Sequence, residues 1–335
     1  MKIELLEMLC CPKSGQNLHV EHTEKNQLSL KSGLLISEDG RNSYPILNGI
    51  PRFVPMSNYA DNFGIQWNRF RQTQLDSYSG HPISANRFWN ATGWLSDELK
   101  DQWVLDVGCG AGRFAEVALN SGAKVIALDY SSAVDACYAN LNHHPNLYVV
   151  QGDIYSLPFA IERFSFVYSL GVLQHTPDVA KAFAALPPMV KAGGKLCIDF
   201  YWKRLRTMLN TKYLLRPITK RVPKCKLFNY LERTVPVLLI ISQGIGTIPI
   251  IGRILKRIVP VADYTGIYPL SSQQLKEWAL LDTFDMMAPE YDNPQTIKTI
   301  LRWMNDAGLD EIQVLHEGHL VGRGRKLKKI RTKET

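Results

Sequence analysis

From Trp103 onward, short apolar runs alternate with amphipathic ones. Residues 104–107, 124–129, 147–151, 164–170 and 195–201 are rich in β-branched, aromatic and aliphatic side chains and are bounded by turn residues, so they read as strands. Residues 114–120, 133–141 and 179–190 read as helices between them, with Gly193-Gly194 as the turn into the fifth strand. That rhythm predicts a parallel sheet covered on both faces. It breaks across 203–289 and resumes at Asn293-Pro294, a helix start with Asn as cap and Pro in the first turn. Ala307-Gly308 is the matching stop, and strands at 311–315 and 319–322, joined at Gly318, predict a hairpin closing one sheet edge.

The segments before Trp103 differ. Residues 1–56 form a small α+β module: a short helix over 3–9, Cys10-Cys11-Pro12, strand-like runs at 28–30 and 34–36, and turns at Asp39-Gly40 and Asn48-Gly49. Residues 57–100 hold Phe63, Trp67, Phe70, Phe88, Trp89 and Trp94 among polar residues and read as a helical lead-in. The expected organisation is therefore 1–56, 57–100, a core of 101–202 with 290–325, and a helical insert over 203–289.

Composition and charge add three expectations. Of the 335 residues, 45% are hydrophobic and 21% charged, which predicts a well-filled soluble core. The start, Met1-Lys2-Ile3-Glu4, carries an acid where a secretory leader would be basic and then apolar, and six scattered cysteines fit reduced thiols, so the expected location is cytoplasmic. The net charge of +8 is uneven: thirteen basic residues and one acid, Glu232, lie between Lys203 and Arg257, and seven basic residues follow from Arg323. Such segments suit phosphate groups or an anionic membrane face, with solvated surfaces as the alternative. The uncharged 19-residue run from Thr234 to Gly252 is interrupted by Pro236, Ser242, Gly244 and Pro249, so a helical hairpin is expected there rather than a span. Peripheral contact through 203–257 with the inner membrane face, or a lid over an acceptor site, are the two readings.

The chemistry concentrates in Val104-Leu-Asp-Val-Gly-Cys-Gly-Ala-Gly-Arg-Phe-Ala115. A strand ends in Asp106 and enters glycines 108, 110 and 112, then a helix whose N-terminus can face an anionic ligand end. The dinucleotide fingerprint needs its third glycine one residue later, where Arg113 stands, and no Gly-Lys-Ser/Thr follows for a phosphate loop. Asp106 would repel a pyrophosphate but could receive an amino-acid ammonium. Asp129 ends the next strand, where an acid can take ribose hydroxyls. Asp153 follows the third strand and could accept from an adenine amino group, with Ile154 against the ring. Three acids thus follow three consecutive strands at the carboxyl edge; helix capping by those acids is the alternative.

Residues 103–201 resemble class I S-adenosylmethionine methyltransferases, particularly the small-molecule group that includes the ubiquinone and menaquinone C-methyltransferases. The matching stretches are Asp106-Val-Gly-Cys-Gly-Ala-Gly112, Ala127-Leu-Asp-Tyr-Ser131, Gly152-Asp-Ile154, Phe164-Ser-Phe-Val-Tyr-Ser-Leu170 and Gly193-Gly-Lys-Leu196. Ser165 departs from the family's usual Asp. The resemblance implies a Rossmann-like seven-stranded α/β sheet that binds S-adenosylmethionine and releases S-adenosylhomocysteine. It implies cofactor contacts from Asp106, Gly108, Cys109, Gly110, Gly112, Asp129, Tyr130, Asp153, Ile154 and Leu170. In such enzymes the methyl passes in line from a sulfonium to a nucleophile, and an oxygen nucleophile usually needs a base. His175, in the loop after the fourth strand, is the candidate base, with a pocket-wall or loop-anchoring role as its alternative.

Asp282, Asp285, Tyr291 and Asp292 lie outside the βα rhythm and are candidate acceptor-binding residues; turn and capping chemistry is the alternative. The N-terminal module resembles the zinc-ribbon-related domain found beside some tRNA and rRNA methyltransferases, through Leu9-Cys-Cys-Pro-Lys-Ser14 and Tyr44-Pro-Ile-Leu-Asn-Gly-Ile-Pro51. Its second cysteine pair is missing, and the set Cys10, Cys11, His19 and His22 contains adjacent cysteines that chelate one zinc poorly, so no metal is expected. Phe63-Gly-Ile-Gln-Trp67 and Leu281-Asp-Thr-Phe-Asp285 resemble uncharacterised bacterial methyltransferases associated with surface-glycan pathways. The expected function is methyl transfer to a small-molecule or saccharide acceptor, including a lipid-linked one. A tRNA or rRNA base methyltransferase is the runner-up, and a catalytically silent binding partner the third reading. Oligomeric state is left open.

Overall fold

The computed structural model describes residues 1–21, 30–55, 60–204 and 211–328. Its N-terminal part is a four-stranded antiparallel sheet, β1 (Leu18–Glu21), β2 (Gly33–Ser37), β3 (Ser43–Leu47) and β4 (Ile50–Pro51), preceded by a 3-10 helix over Ile3–Met8. Asn48 and Gly49 both have positive φ (53° and 79°), which is what the two-residue loop between β3 and β4 demands. β1 is not among the expected strands, its apolar–polar alternation extending over only four residues, and positions 28 and 29 of the expected strand at 28–30 lie outside the described residues. This small sheet shares a core with the larger one: Leu5, Leu9, Leu35 and Ile46 cluster with Leu105, Ile126 and Val150. Arg52 is buried and ties the junction, donating to Gln151 at 2.7 Å and pairing with Asp135 at 2.6 Å.

The main sheet has seven strands: β5 (Trp103–Val107), β6 (Lys124–Asp129), β7 (Leu147–Gln151), β8 (Phe164–Ser169), β9 (Val190–Phe200), β10 (Leu309–Glu317) and β11 (His319–Lys326). The spatial order is β10-β11-β9-β8-β5-β6-β7. β5 to β9 pair in parallel, and β11 runs antiparallel to both β9 and β10. The period-two alternation divides each strand between two cores. Leu105, Ile126 and Leu128 face one side, and Val104, Val125 and Ala127 face the other. The Rossmann-like seven-stranded fold expected from the sequence is thus present.

Two boundaries differ from expectation for local reasons. The helix expected over 179–190 stops at Ala184, because Pro187-Pro188 cannot continue it; a 3-10 turn follows and β9 begins at Val190. Gly193-Gly194 therefore lie inside β9, where a shift in its pairing with β8 absorbs them as a bulge. The helix expected to be capped by Asn293 spans Ile297–Asp306 and is capped by Thr296, whose hydroxyl accepts from Thr299 N. Asn293 instead anchors the loop after β8, through its backbone to Gln174 and its side chain to Thr176.

The insert is helical: Thr211–Thr219, Lys224–Gly246, a short turn Gly252–Leu255, and Ser272–Met287. Leu227, Phe228, Leu231, Val235 and Leu239 pack against Ala279, Phe284 and Met287 in a separate core. Among the described residues, no helix is long and apolar enough to cross a membrane. The final helix of the insert opens with the capping box Ser271 and Gln274.

Candidate cofactor and acceptor site

A cavity of about 960 Å³ opens at the carboxyl ends of β5, β6 and β8, roofed by the lead-in helices Asp61–Arg69 and Ile83–Thr92 and walled by the insert. Gly108, Cys109, Gly110, Asp129, Tyr130, Ile154 and Leu170 line it, as do His175, Asp282 and Asp285. Asp106, Gly112, Asp153, Tyr291 and Asp292 stand outside its wall.

The glycine loop is shaped by close approach. Gly108 and Gly110 have φ of +86° and +52°. A Cβ on Gly108 would sit 2.4 Å from a Val172 methyl, and one on Gly110 would sit 3.1 Å from the Trp67 indole that covers the loop. Gly112 has a φ of +93° and packs closely as well: a Cβ there would meet Leu141 at 2.6 Å. Gly108→Ala combines an unfavourable φ with this clash, so it is expected to destabilise the fold by about 1–3 kcal/mol. Thermal melting of the variant measures this, and an unchanged melting temperature would mean the loop relaxes freely.

The loop's N–H groups are engaged within the protein. Gly108 and Cys109 donate to the Leu128 carbonyl, Gly110 donates to Asp129 Oδ2 at 3.0 Å, and Gly112 donates to Cys109. An anion cradle needs such donors free. The expectation of an anionic ligand end concerns the N-terminus of the helix that begins at Arg113, beyond these four donors. Asp129 Oδ1 accepts from Ser131 N and Oγ at 2.8 and 2.7 Å. Asp129 also lines the cavity, where its carboxylate can face a ligand hydroxyl. Burial pushes the Asp129 carboxyl up, while the bonds from Ser131 and Gly110 oppose that.

Asp106 lies behind the loop, 2% exposed, and its Oδ2 has no hydrogen-bond partner. Burial pushes its carboxyl up to about 8, with the Tyr168 hydroxyl lowering it only in part. A buried, unpaired carboxyl oxygen is costly alone and suits a donor brought by a ligand. Asp153 accepts from Tyr155 N at 2.9 Å, so in this conformation it orders the turn after β7, while its neighbours Gly152 and Ile154 form the wall. A nucleoside fits the part of this set that lines the cavity, the hydroxyl acceptor Asp129 and the apolar wall of Ile154 and Leu170, while the Asp106 carboxyl stands behind the loop.

His175 is 6% exposed, between Phe63 and Tyr201 at ring separations of 5.5 and 5.6 Å. Its Nδ1 lies 3.0 Å from the Tyr291 carbonyl, which can only accept, so Nδ1 carries the proton and Nε2 is the acceptor. Nε2 has no partner. Asp282 accepts from Gln74 Nε2 at 3.0 Å and from the Tyr264 hydroxyl; burial pushes its carboxyl up to about 6. Asp285 faces the Tyr201 hydroxyl at 3.4 Å. Tyr291 contributes its backbone, and Asp292 is buried in an ion pair with Lys212 at 3.0 Å, so both act from behind the wall. Lys212 and Arg216 of the insert thus turn inward, Arg216 to the carbonyls of Met286 and Pro289.

Several wall residues had no place in the sequence reading. Arg87 pairs with Asp199 at 2.9 Å, and His319 Nδ1 lies 3.6 Å from the same carboxylate. Burial works against the Asp199 charge, yet His319 and Arg87 hold it below the usual carboxylate range. Burial and Arg87 push His319 down to about 4, so it is neutral at neutral pH. Asp199 sits near the carboxyl end of the fifth parallel strand, so the rule that singled out Asp106 and Asp129 reaches it too. Arg87 carries no local signal. Tyr264 and Tyr268 stack at 5.2 Å beside Trp278, giving the wall an aromatic surface. Among the described residues no group of three or more His, Cys, Asp or Glu is arranged to hold a metal, and His22 lies outside them. Cys11 is buried against the Tyr44 hydroxyl at 3.2 Å.

Known proteins match the same region. A family described as "Methyltransferase domain" matches residues 105–198. A demethylmenaquinone methyltransferase of Thermobifida fusca is 33% identical over 120 residues, 35% of this chain and 51% of that protein. A ubiquinone biosynthesis O-methyltransferase of Coxiella burnetii is 30% identical over 115 residues, 34% of this chain and 49% of that one. The chain spans about half the length of these curated relatives. The structure of human N-acetylserotonin methyltransferase aligns over 82% of this chain and 61% of that one, with a TM-score of 0.46 and 13% identity. Residues 105–198 thus match a methyltransferase domain and stand on a Rossmann-like sheet of the class I order, and S-adenosylmethionine is the cofactor this match supports.

Proposed function

We propose that the chain methylates a hydroxyl of a small-molecule or saccharide acceptor, including a lipid-linked one. The observation that carries this is one cavity lined both by the glycine loop with Asp129 and by His175, Asp282 and the stacked tyrosines of the insert. S-adenosylmethionine supplies an activated methyl on a sulfonium. The protein supplies position, a dry enclosure and a proton acceptor. Asp129 takes a ribose hydroxyl, and the Asp106 carboxyl meets the ammonium end, directly or through water. Trp67 and the lead-in helices cover the loop and limit water. Asp282, Asp285 and the Tyr264/Tyr268 face hold the acceptor: carboxylates accept from hydroxyls, and aromatic faces take the apolar side of a ring. His175 Nε2, with Nδ1–H held by the Tyr291 carbonyl, receives the acceptor's proton. The names of the two relatives, which refer to menaquinone and ubiquinone, support a small-molecule acceptor.

Incubating the protein with methyl-labelled S-adenosylmethionine and a fractionated cell extract tests this. Label is expected in the small-molecule, glycan or lipid fraction. Label confined to RNA would replace this reading with the base-methyltransferase one, and no label in any fraction would oppose transfer to either class. With the acceptor in hand, Asp282→Asn is expected to raise its KM roughly 2- to 12-fold, the loss of about 0.5–1.5 kcal/mol from one hydrogen bond, leaving cofactor binding intact.

A further inference from the structure

The insert has two unlike faces. Its inner face is packed on the helix Ser272–Met287. Along the outer face of the helix Lys224–Gly246, Lys226, Tyr230, Arg233, Val237 and Ile240 fall three or four residues apart, with Ile241 four after Val237, so they form one stripe, and all are exposed. The stripe is cationic and tyrosyl at its start and purely aliphatic at its end. The aliphatic character continues past the helix: Ile248, Ile250, Ile251, Ile254 and Ile258 are exposed, Ile250 by 96%. Single exposed aliphatic side chains are ordinary, but a contiguous run at one tip marks a contact surface.

We propose that this tip, from Val237 to Ile258, docks on an anionic phospholipid bilayer, with its isoleucines at the acyl boundary and Lys226, Arg233 and Tyr230 among the headgroups. The charge decides between occupants. Lys226 and Arg233, the exposed cations of this stripe, would face and repel their counterparts on a second copy docked through the same surface. A nucleic acid would match the cations but leave the isoleucines in water. An anionic bilayer satisfies both parts of the stripe at once. The aliphatic tip is too short to span and suits interfacial seating. The proposal stands independently of which acceptor is methylated.

Flotation with vesicles of phosphatidylcholine, with and without roughly a third of phosphatidylglycerol, tests it. The protein is expected to co-float with the anionic vesicles at low salt, and binding is expected to fall at least tenfold on neutral vesicles. The triple variant Ile250→Ser, Ile251→Ser, Ile254→Ser is expected to lose at least tenfold of that binding, with unchanged melting temperature and S-adenosylhomocysteine affinity, since these side chains touch solvent. Lys226→Glu with Arg233→Glu is expected to remove the preference for anionic lipid. Absence of co-flotation at low salt, or equal co-flotation of the triple variant, would overturn the proposal. So would light scattering that finds a wild-type dimer and a monomeric triple variant, because the tip would then pair copies of the chain.

Discussion

Asp129→Ala is expected to weaken binding of S-adenosylhomocysteine by roughly 10- to 150-fold, the loss of about 1.5–3 kcal/mol from a hydrogen bond to a charged group. The carboxylate has two tasks. It accepts from Gly110 N, Ser131 N and Ser131 Oγ, which fixes the glycine loop, and it presents its remaining acceptor capacity to the cavity. Alanine removes both. The isosteric Asp129→Asn keeps one oxygen and is expected to lose less. Calorimetric titration of folded variants separates these effects from unfolding. An alanine variant with wild-type affinity would show that Asp129 orders the loop without touching the ligand.

His175→Asn is expected to lower kcat by roughly 10²- to 10⁴-fold, the usual worth of a positioned base, with cofactor affinity unchanged. Asparagine reproduces the donor to the Tyr291 carbonyl but has nothing at the place of Nε2, so it removes the acceptor while retaining the anchor. The competing candidate is His319, neutral and beside Asp199 in the same cavity. His319→Asn is expected to change acceptor KM more than kcat, because Arg87 already holds Asp199 and burial leaves His319 a weak base. The reverse pattern, an active His175→Asn and an inactive His319→Asn, would move the proton acceptor to His319. These rates require the acceptor found by labelling.

The strands that hold the cofactor end were legible because each carries its own signal. β6 and β7 and the helix Ala133–Leu141 fall on the residues expected for them, since apolar runs there end in turn residues and acids. β1 was missed because it is short: Leu18-His19-Val20-Glu21 alternates apolar and polar as a half-buried strand does, but over four residues only, in a strand paired to β2 alone. The acceptor side was less legible for a related reason. Asp282 and Asp285 stood out as acids in a segment without βα rhythm, and the fold brings both to the cavity. Tyr291 and Asp292 stood out equally, yet tertiary packing turns Asp292 to Lys212 and leaves Tyr291 its carbonyl role. Arg87 and His319 meet at Asp199 from positions far apart in sequence, and nothing local marks either. The basic insert divides the same way: its charge was countable in advance, but which cations face Asp292 and which face solvent depends on helix packing.

The most direct measurement is calorimetric titration of S-adenosylhomocysteine into the folded wild-type protein. A single saturable site is expected, weakened by Asp129→Ala and untouched by the isoleucine variants of the insert. No heat and no stabilisation on melting, from protein shown to be folded, would contradict the assignment of this cavity to an adenosyl ligand.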